Sequence, residues 1–279
     1  MKYTIKNFRE DFGTEEKCLN YIFYAKFSKK YVCPSCKKQA GFYKVSGRKC
    51  YACAACGQQI HPLAGTIFHK SPTPLTLWFY AIYLFSASKN GVSAKELERH
   101  LGCTYKTAWR VGKQIRALME QKGGMLSGIV EADETYIGGT RKLKHNKMQN
   151  KTAVVGVVER QGEARVRKLE DMSRYSIMGY VKQNVVSGSR LMTDEAQAYY
   201  KAKKDFRHKS VKHSANEYVR GKIHTNTVEG LWSQIKRSID GTYHSVSPKY
   251  LQDYLDEFSF RYNHRSSASP IFSLLLSRV

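Results

Sequence analysis

Part of the chain has apolar residues at helical intervals. Apolar positions recur every three or four residues in segments 75–88, 93–102 and 104–121, an interval that places them on one face of an α-helix. Ser93 can cap the second segment and Gly102 can end it. The pattern predicts three helices in close succession, the last two with the spacing of a helix-turn-helix.

A different pattern follows the glycine pair at 123 and 124. Short apolar runs there predict strands, and longer amphipathic stretches predict helices. The predicted strands are 129–139, 152–160, 163–169 and 189–194. The predicted helices are 173–185, 227–239 and 247–265, of which the last two finish the chain. Strands placed mostly before helices favour an α+β or three-layer α/β domain.

The first 70 residues show neither pattern at length. They are rich in Cys, Lys, Tyr and Gly, and short alternating runs such as YKVSGRKCYAC predict hairpin strands with no long helix. We therefore expect three domains, at 1–70, 71–122 and 123–279. The basic stretch at 140–151 is predicted to be a mobile loop.

The cysteine spacing in the first domain predicts a metal site. Cys33 and Cys36 form one C-x-x-C pair, Cys53 and Cys56 form another, and 16 residues separate the pairs. This spacing is typical of a zinc ribbon, in which four thiolates hold one structural Zn²⁺ and leave no coordination position open for catalysis. Cys50 is an alternative ligand, but it lacks a partner at the same spacing.

The chain is strongly basic, with 47 Lys and Arg against 23 Asp and Glu and a formal net charge of +24. Such a surface attracts polyanions, so nucleic acid is the leading partner, although composition does not separate a DNA-binding protein from a ribosome-associated one. The second helix of the predicted helix-turn-helix is expected to expose Tyr105, Lys106, Arg110 and Lys113 to DNA. An ordinary helical hairpin with a solvated basic face is the alternative.

Acidic residues of the last domain stand at the ends of predicted elements. Asp133 lies in the first predicted strand, Asp194 ends the fourth, and Glu229 lies near the start of the next helix. Carboxylates placed in this way can converge on two divalent cations, and oxygen ligands favour Mg²⁺ or Mn²⁺. Lys236 follows Glu229 by two helical turns and shares its face, where it can steady a phosphate.

Neighbouring carboxylates compete for these roles. Glu131 and Glu134 are alternatives to Asp133, and Glu195 is an alternative to Asp194. In a regular strand Glu131 shares the face of Asp133, whereas Glu134 points to the opposite face.

Several longer stretches are similar to one known family. EADETYIGG, TDEAQAYY, HTNTVEGLWSQIKR, GTYHSVSPKYLQDYLDEFSFRYNHR and the upstream GTIFHKSPTPLTLWF resemble the ISXO2-like transposases of bacterial insertion sequences. The resemblance covers nearly the whole chain. It implies a multidomain α+β protein in which an N-terminal zinc ribbon precedes a helical helix-turn-helix module and a C-terminal RNase H-like α/β catalytic domain.

In that family the catalytic set is two aspartates, a third residue that is Glu or Asn, and a lysine. The resemblance implies Asp133, Asp194 and Lys236 for three of these positions. The sequence offers both Asn226 and Glu229 for the remaining one. We favour Glu229 because a carboxylate binds a divalent ion far better than a neutral amide. Asn226 is then expected to contact metal-bound water or DNA.

Other side chains in the matched stretches are candidates either for the DNA-facing side or for structural roles. They are His224, Tyr243, His244, Arg261 and Asn263. Trp232 and Phe260 fit the apolar faces of their helices and are expected in the core.

The resulting hypothesis is a DDE-type transposase, a metal-dependent polynucleotidyl transferase and nuclease. It would bind double-stranded DNA at the terminal inverted repeats of an insertion sequence and join those ends to target DNA. Two ends imply at least a homodimer on DNA. A zinc-ribbon regulator whose C-terminal domain only dimerises, and a domesticated transposase that has lost transposition, are the alternatives, and metal-dependent strand cleavage discriminates between them.

The N-terminus has no apolar run typical of a signal peptide, and the longest apolar stretches are too short to span a bilayer. We therefore expect a protein of the bacterial cytoplasm that acts at the nucleoid and has no membrane partner.

Overall fold

The residues described by the computed structural model are 3–27, 31–138, 151–215, 217–267 and 270–279. Internal contacts divide the chain into two compact units. The first is Met1–Leu118 with Ser267–Val279, and the second is Met119–Ser266. The first unit contains both the ribbon and the helix-turn-helix segments, so the three-domain division stays a prediction.

The first unit begins with two helices, a small sheet and three further helices. Its elements are α1 (Ile5–Phe12), α2 (Glu15–Lys26), β1 (Phe42–Lys44), β2 (Tyr51–Cys53), β3 (Gln59–Ile60), α3 (Leu75–Ala87), α4 (Ala94–Leu101) and α5 (Tyr105–Ala117). The three strands form an antiparallel sheet in chain order. The three helices predicted from apolar spacing are therefore α3, α4 and α5.

Helices α1 and α2 precede the ribbon, so the expectation of no long helix in residues 1–70 is wrong. Thr4 caps α1 and Thr14 caps α2, each through a side-chain oxygen that accepts a backbone N–H of the first turn. Their aromatic residues pack on α3, with the rings of Phe12 and Phe79 centred 4.9 Å apart. Short helices of this kind depend on tertiary packing more than on their own periodicity.

A tight turn joins α4 and α5. Ser93 Oγ accepts the N–H of Glu96 at 3.1 Å at the start of α4, and Gly102 ends that helix with a φ of 60°. Gly112 lets the two helices approach closely, because a Cβ there would lie 3.2 Å from Leu97 Cδ1. The local geometry is that of the predicted helix-turn-helix.

In its described residues, the second unit contains one sheet and three α-helices. Its elements are β4 (Ile129–Gly138), β5 (Lys151–Glu159), β6 (Ala164–Lys168), α6 (Arg174–Asn184), β7 (Arg190–Thr193), β8 (Lys209–Ser210), α7 (Asn226–Ser238) and α8 (Leu251–Asn263). A further helix, α9 (Ile271–Leu276), belongs to the first unit. The expectation that two helices finish the chain missed α9. Residues 140–150 of the predicted loop lie outside the described residues, and Lys151 begins β5.

The sheet of the second unit has the strand order β6-β5-β4-β7-β8. The pairs β6–β5 and β5–β4 are antiparallel, whereas β4–β7 and β7–β8 are parallel. Alternate side chains of β4 and β5 enter two apolar clusters, one with α6 and one with α7 and α8. The unit is therefore a three-layer α/β domain. Trp232 is buried in the second cluster, and Phe260 is also a buried side chain, as expected.

Side-chain amides occupy the outer edge of β6. Asn263 bonds both backbone groups of the first residue of β6, at 2.7 and 3.1 Å. Gln121 bonds both groups of the third residue, at 2.9 and 2.8 Å. Gln252 accepts the N–H of the last residue at 2.9 Å. The free edge of this strand is therefore satisfied by side chains.

Across the described ranges, every helix is too short or too polar to cross a membrane.

Candidate active site and zinc centre

Four cysteine sulfurs meet in the ribbon. Cys33 Sγ lies 3.7 Å from Cys56 Sγ, Cys36 Sγ lies 3.9 Å from Cys53 Sγ, and all four sulfurs lie within 4.8 Å of one another. A tetrahedral zinc ion with Zn–S bonds of about 2.3 Å needs sulfur separations of about 3.8 Å. The four side chains therefore fit one zinc ion.

Matching backbone turns hold the two cysteine pairs. Lys37 N donates to Cys33 O at 2.9 Å, and Gly57 N donates to Cys53 O at 2.8 Å. Lys37 and Gly57 both have a positive φ, of 58° and 73°. A hydrogen bond from the Cys36 backbone N–H lowers the pKa of the Cys33 thiol to about 7. A lower pKa favours the thiolate, which is the form that binds metal.

Cys50 lies outside this set. Its side chain is buried, and its Sγ donates to Gln59 Oε1 at 3.6 Å. The alternative in which Cys50 replaces a zinc ligand therefore has no support in the geometry.

Asp133 and Asp194 lie at the same level of two neighbouring strands. β4 and β7 are parallel, and their pairing reaches Glu131 opposite Met192. The same register, continued by two residues, sets Asp133 beside Asp194, which directly follows β7. Both side chains are half-buried. The sheet thus brings together two residues that the sequence predicted as metal ligands.

Helix α7 supplies side chains to the same face of β4. Trp232 Nε1 donates to Asp133 Oδ2 at 2.9 Å, and Lys236 Nζ donates to Thr135 Oγ1 at 2.7 Å. Gly156 pairs with Asp133 on β5 and leaves room for the indole, because a Cβ there would lie 2.8 Å from the Trp232 ring. Lys236 therefore lies on the Asp133 face of the sheet.

Glu131 is fully buried and fixes the start of α7. Its carboxylate accepts Thr227 N at 2.7 Å, Thr227 Oγ1 at 2.9 Å, Val228 N at 3.1 Å and Arg160 Nε at 2.6 Å. Arg160 also donates to two backbone carbonyls in the segment before α7, at 2.8 and 3.0 Å. These contacts make Glu131 a structural anchor and weigh against it as the alternative to Asp133.

The other competing carboxylates also have partners elsewhere. Glu134 points to the opposite face of β4, where Tyr199 donates its hydroxyl at 2.5 Å. Glu195 accepts the backbone N–H and the hydroxyl of Ser214, each at 2.8 Å. The hydrogen bonds therefore favour Asp133 and Asp194 over their neighbours.

Asn226 and Glu229 occupy the first turn of α7, and both are exposed. Thr225 Oγ1 donates to Glu229 Oε1 at 2.7 Å. Three or more possible metal-ligand atoms of His, Cys, Asp or Glu lie within 4.8 Å of one another at one place in the described parts of the chain, which is the set of four ribbon cysteines. The ligand atoms of Asp133, Asp194 and Glu229 are thus farther apart than this limit. The assignment of Glu229 as the third catalytic residue stays a prediction.

The environment of Asp133 and Glu134 disfavours negative charge. Burial raises the pKa of Asp133 to about 7, with further increases from the carboxylates of Glu134 and Asp194. Burial and Asp194 also raise the pKa of Glu134. A divalent cation would replace the proton and relieve the repulsion between these carboxylates. The oxygen donors present therefore fit a hard cation.

The predicted DNA-contacting side chains of α5 differ in exposure. Tyr105, Lys106 and Lys113 are exposed. Arg110 is half-buried, because its Nη2 donates to two hydroxyls in the segment before α3 at 3.2 and 3.3 Å. The expectation that Arg110 is exposed is therefore wrong, since its guanidinium holds α5 to that segment.

Three of the remaining candidates have structural partners. Tyr243 donates to Glu257 Oε2 at 2.9 Å, and Arg261 Nη2 donates to Glu257 Oε1 at 2.7 Å. Glu257 is fully buried. Asn263 bonds the edge of β6, as described above. These contacts account for the three side chains without DNA.

The two histidines in the same group are less enclosed. His224 is half-buried, and its Nδ1 lies 3.3 Å from Glu131 Oε1 without the angle of a hydrogen bond. His244 is exposed and has a positive φ of 60°.

Sequence reasoning missed the anchoring role of Glu131 and the hydrogen bond from Trp232 to Asp133. One signal was available for the second contact. Gly156 interrupts a valine-rich run that otherwise predicts a buried strand, and a glycine inside a strand marks the close approach of another group.

Comparison with known families gives two matches. Residues 125–263 match the ISXO2-like transposase domain family, and residues 13–59 match the transposase zinc-ribbon domain family. An uncharacterized protein in transposable element ISH50 of Halobacterium salinarum is 25% identical over 273 residues. That alignment covers 90% of this chain and 91% of the relative.

Two solved structures share weaker similarity. The simian T-cell lymphotropic virus intasome in complex with the PP2A regulatory subunit B56 gamma contains a chain 12% identical, with 68% of this chain and 70% of that one aligned at a TM-score of 0.35. The HTLV-2 integrase catalytic core domain in complex with magnesium is 10% identical, with 55% of this chain and 98% of that one aligned at 0.32. Since both TM-scores are below 0.5, the assignment rests on the family matches and the strand order.

The two matched families lie in the order that the sequence predicted, with the zinc ribbon before the catalytic domain. The mixed five-stranded sheet with helices on both faces confirms the RNase H-like α/β class of the second unit. The chain belongs to the ISXO2-like transposases and is a DDE-type transposase, an enzyme of the polynucleotidyl transferase and nuclease class.

Proposed function

We propose that this protein binds the ends of an insertion sequence, cuts the DNA there and joins the ends to target DNA. In this proposal Asp133, Asp194 and Glu229 hold two Mg²⁺ or Mn²⁺ ions, and Lys236 contacts a phosphate. Asn226 contacts metal-bound water or DNA. The observation that supports the proposal is the β4–β7 register, which pairs Glu131 with Met192 two residues before each of the two aspartates.

The chemistry is in-line displacement at phosphorus. In cleavage, a water oxygen forms a bond to phosphorus, the bond from phosphorus to the 3′ oxygen breaks, and that oxygen leaves as a hydroxyl. In joining, this 3′-hydroxyl attacks a phosphorus of the target, and the target 3′ oxygen leaves with the proton. Two divalent ions, when bound, favour deprotonation of the attacking oxygen and stabilise the leaving one. The protein must supply ionised carboxylates and hold the phosphate in line.

DNA binding is proposed for the N-terminal modules. The ribbon, held by one structural Zn²⁺, and the exposed side chains Tyr105, Lys106 and Lys113 of α5 would contact double-stranded terminal inverted repeats. This proposal keeps the division into modules at 1–70, 71–122 and 123–279. Two element ends require at least a homodimer on DNA. The site of action would be the nucleoid of a bacterial cytoplasm.

The test is Mg²⁺-dependent cleavage and joining of DNA that carries the repeats flanking the gene. Asp194→Ala and Glu229→Gln should abolish both reactions while end binding survives. Asp171→Asn is the control, because that exposed carboxylate accepts hydrogen bonds from Ser173 and Ser176 at the start of α6, and it should retain activity. Activity in Glu229→Gln would assign the third position to Asn226. Binding without cleavage in Mg²⁺ or Mn²⁺ would favour a regulator or a domesticated protein.

A further inference from the structure

A cavity of about 640 Å³ opens directly beside Asp194, in the region of β8. We call it the Asp194 cavity. Its wall carries four exposed basic side chains, which are Lys203, Lys209, Lys212 and Arg220. Cations gathered around a concave site attract the phosphates of a nucleic acid strand. The charge of the cavity is therefore complementary to DNA.

The same cavity presents an aromatic surface. Tyr200 lines it and is 81% exposed. Tyr199 and Ile223 add apolar lining, and the Tyr199 side chain is held in place by its hydrogen bond to Glu134. Exposed aromatic rings beside basic side chains are the means by which proteins bind unpaired bases, because every base has a face that can stack.

The size of the cavity decides between paired and unpaired DNA. Its volume lies within the range of roughly 300–1,000 Å³ that is typical of small-molecule sites. A duplex keeps its bases stacked inside and offers only their edges and its backbone, whereas a base turned out of the stack can enter such a pocket. We propose that the Asp194 cavity takes up one unpaired nucleotide of the DNA substrate, with its base stacked on Tyr200 and its phosphates beside the lysines.

This inference rests on the proposed function, because the cavity shares Asp194 with the proposed metal site. A nucleotide held there has its phosphodiester next to Asp194. Removal of one base from the stack would therefore position the scissile phosphate and also loosen the duplex at the cleavage point. The class of ligand is an unpaired nucleotide next to the bond that is cut.

The test uses element-end duplexes with 2-aminopurine placed at successive positions near the outer end of the repeat, in the strand opposite the one that is cut. The probe does not enter the cavity itself, and it brightens when the base that it pairs with leaves the helix. Full-length protein is bound before Mg²⁺ is added, and Mg²⁺ is then added to the same complexes to measure cleavage. We compare wild type with Tyr200→Ala and Tyr200→Phe. Tyr175→Ala is the matched control, because Tyr175 is 82% exposed but does not line the cavity.

We expect one position to brighten with wild type, Tyr200→Phe and Tyr175→Ala. With Tyr200→Ala the fluorescence increase should be at least about fivefold smaller, since stacking of a base on an aromatic ring strengthens binding by about 5- to 150-fold. The proposal is overturned if no position brightens in a protein that binds the ends, or if Tyr200→Ala brightens like wild type. Cleavage after Mg²⁺ addition reports separately on the proposed function.

Discussion

Trp232 donates its indole N–H to Asp133 Oδ2 across 2.9 Å, so a side chain of α7 orients a proposed metal ligand on β4. This hydrogen bond lowers the pKa of Asp133, although burial has the larger effect and raises it to about 7. The indole is 4% exposed, and Gly156 leaves the space that it occupies. The carboxylate is therefore held in one orientation before any cation binds.

Trp232→Phe should keep most of the packing and lose the donor. The pKa of Asp133 then rises further, so the pH profile of cleavage should move to higher pH. The rate near neutral pH should fall about tenfold, since a hydrogen bond to a charged group contributes about 1.5–3 kcal/mol. Trp78→Phe is the control, because Trp78 is also buried and donates to Ser71 Oγ at 3.0 Å. Equal pH profiles for the two variants would contradict the role of Trp232.

The stability of the metal-free protein should depend on the ionisation of Asp133. Its pKa is 3.8 ordinarily and about 7 in the folded protein. The folded state therefore binds the proton more tightly, so this contribution to the free energy of unfolding is present below about pH 4 and lost as pH rises through about 7. Without added Mg²⁺, the free energy of unfolding of wild type should fall across this window by roughly a few kcal/mol relative to that of Asp133→Asn. Melting temperatures of the two proteins, measured at a series of pH values, check this. Parallel curves would refute the expectation.

Metal binding should show the opposite dependence on pH. A divalent cation competes with the proton on Asp133, so Mg²⁺ affinity should rise as pH increases toward and through about 7. Below that pH the gain should approach tenfold per unit if one proton is displaced. Titration calorimetry at about pH 6 and about pH 8 measures it. Affinity that does not change between them would mean that Asp133 is already ionised in the free protein.

Glu131→Ala should destabilise the protein strongly. The variant leaves Arg160, whose side chain is 17% exposed, without its ion-pair partner and removes the anchor of α7. Breaking a buried pair costs about 3–5 kcal/mol. Glu195→Ala is the comparison, because that exposed side chain accepts hydrogen bonds from Ser214, and about 1 kcal/mol is expected. Urea unfolding measures the two free energies of unfolding. Equal losses of stability in Glu131→Ala and Glu195→Ala would contradict the anchoring role of Glu131.

Substitution of Cys36 should reduce zinc binding, whereas substitution of Cys50 should not. Wild type and Cys50→Ser should each release about one zinc per chain to a chelating dye, because Cys50 lies outside the four-sulfur set. Cys36→Ser should bind zinc weakly and lose affinity for element ends. Loss of zinc in Cys50→Ser, or none in wild type, would show that the ligand set is different.

Local patterns were sufficient for much of the fold. Apolar spacing located α3, α4 and α5, and cysteine spacing located the four sulfurs that meet in the ribbon. Helices α1 and α2 escaped detection because their stability depends on aromatic contacts with α3, which a local window does not contain. The same reason accounts for Arg110, whose partners lie before α3.

The candidate site was predictable only in part. Asp133 and Asp194 stand at predicted strand ends, and strand parity separated Asp133 from Glu134. The supporting contacts join residues about a hundred positions apart, as in the bond from Trp232 to Asp133 across 99 residues. Contacts of that range depend on how α7 packs on the sheet, and the amino-acid spacing does not encode it.

The amides of Asn263, Gln121 and Gln252 have a consequence for assembly. An open strand edge can recruit a strand from another molecule, which leads to aggregation or to dimers that share a sheet. On β6 the backbone groups that such a strand would need already have partners within the same chain. If copies assemble on DNA as proposed, their sheets are therefore not expected to fuse along this edge.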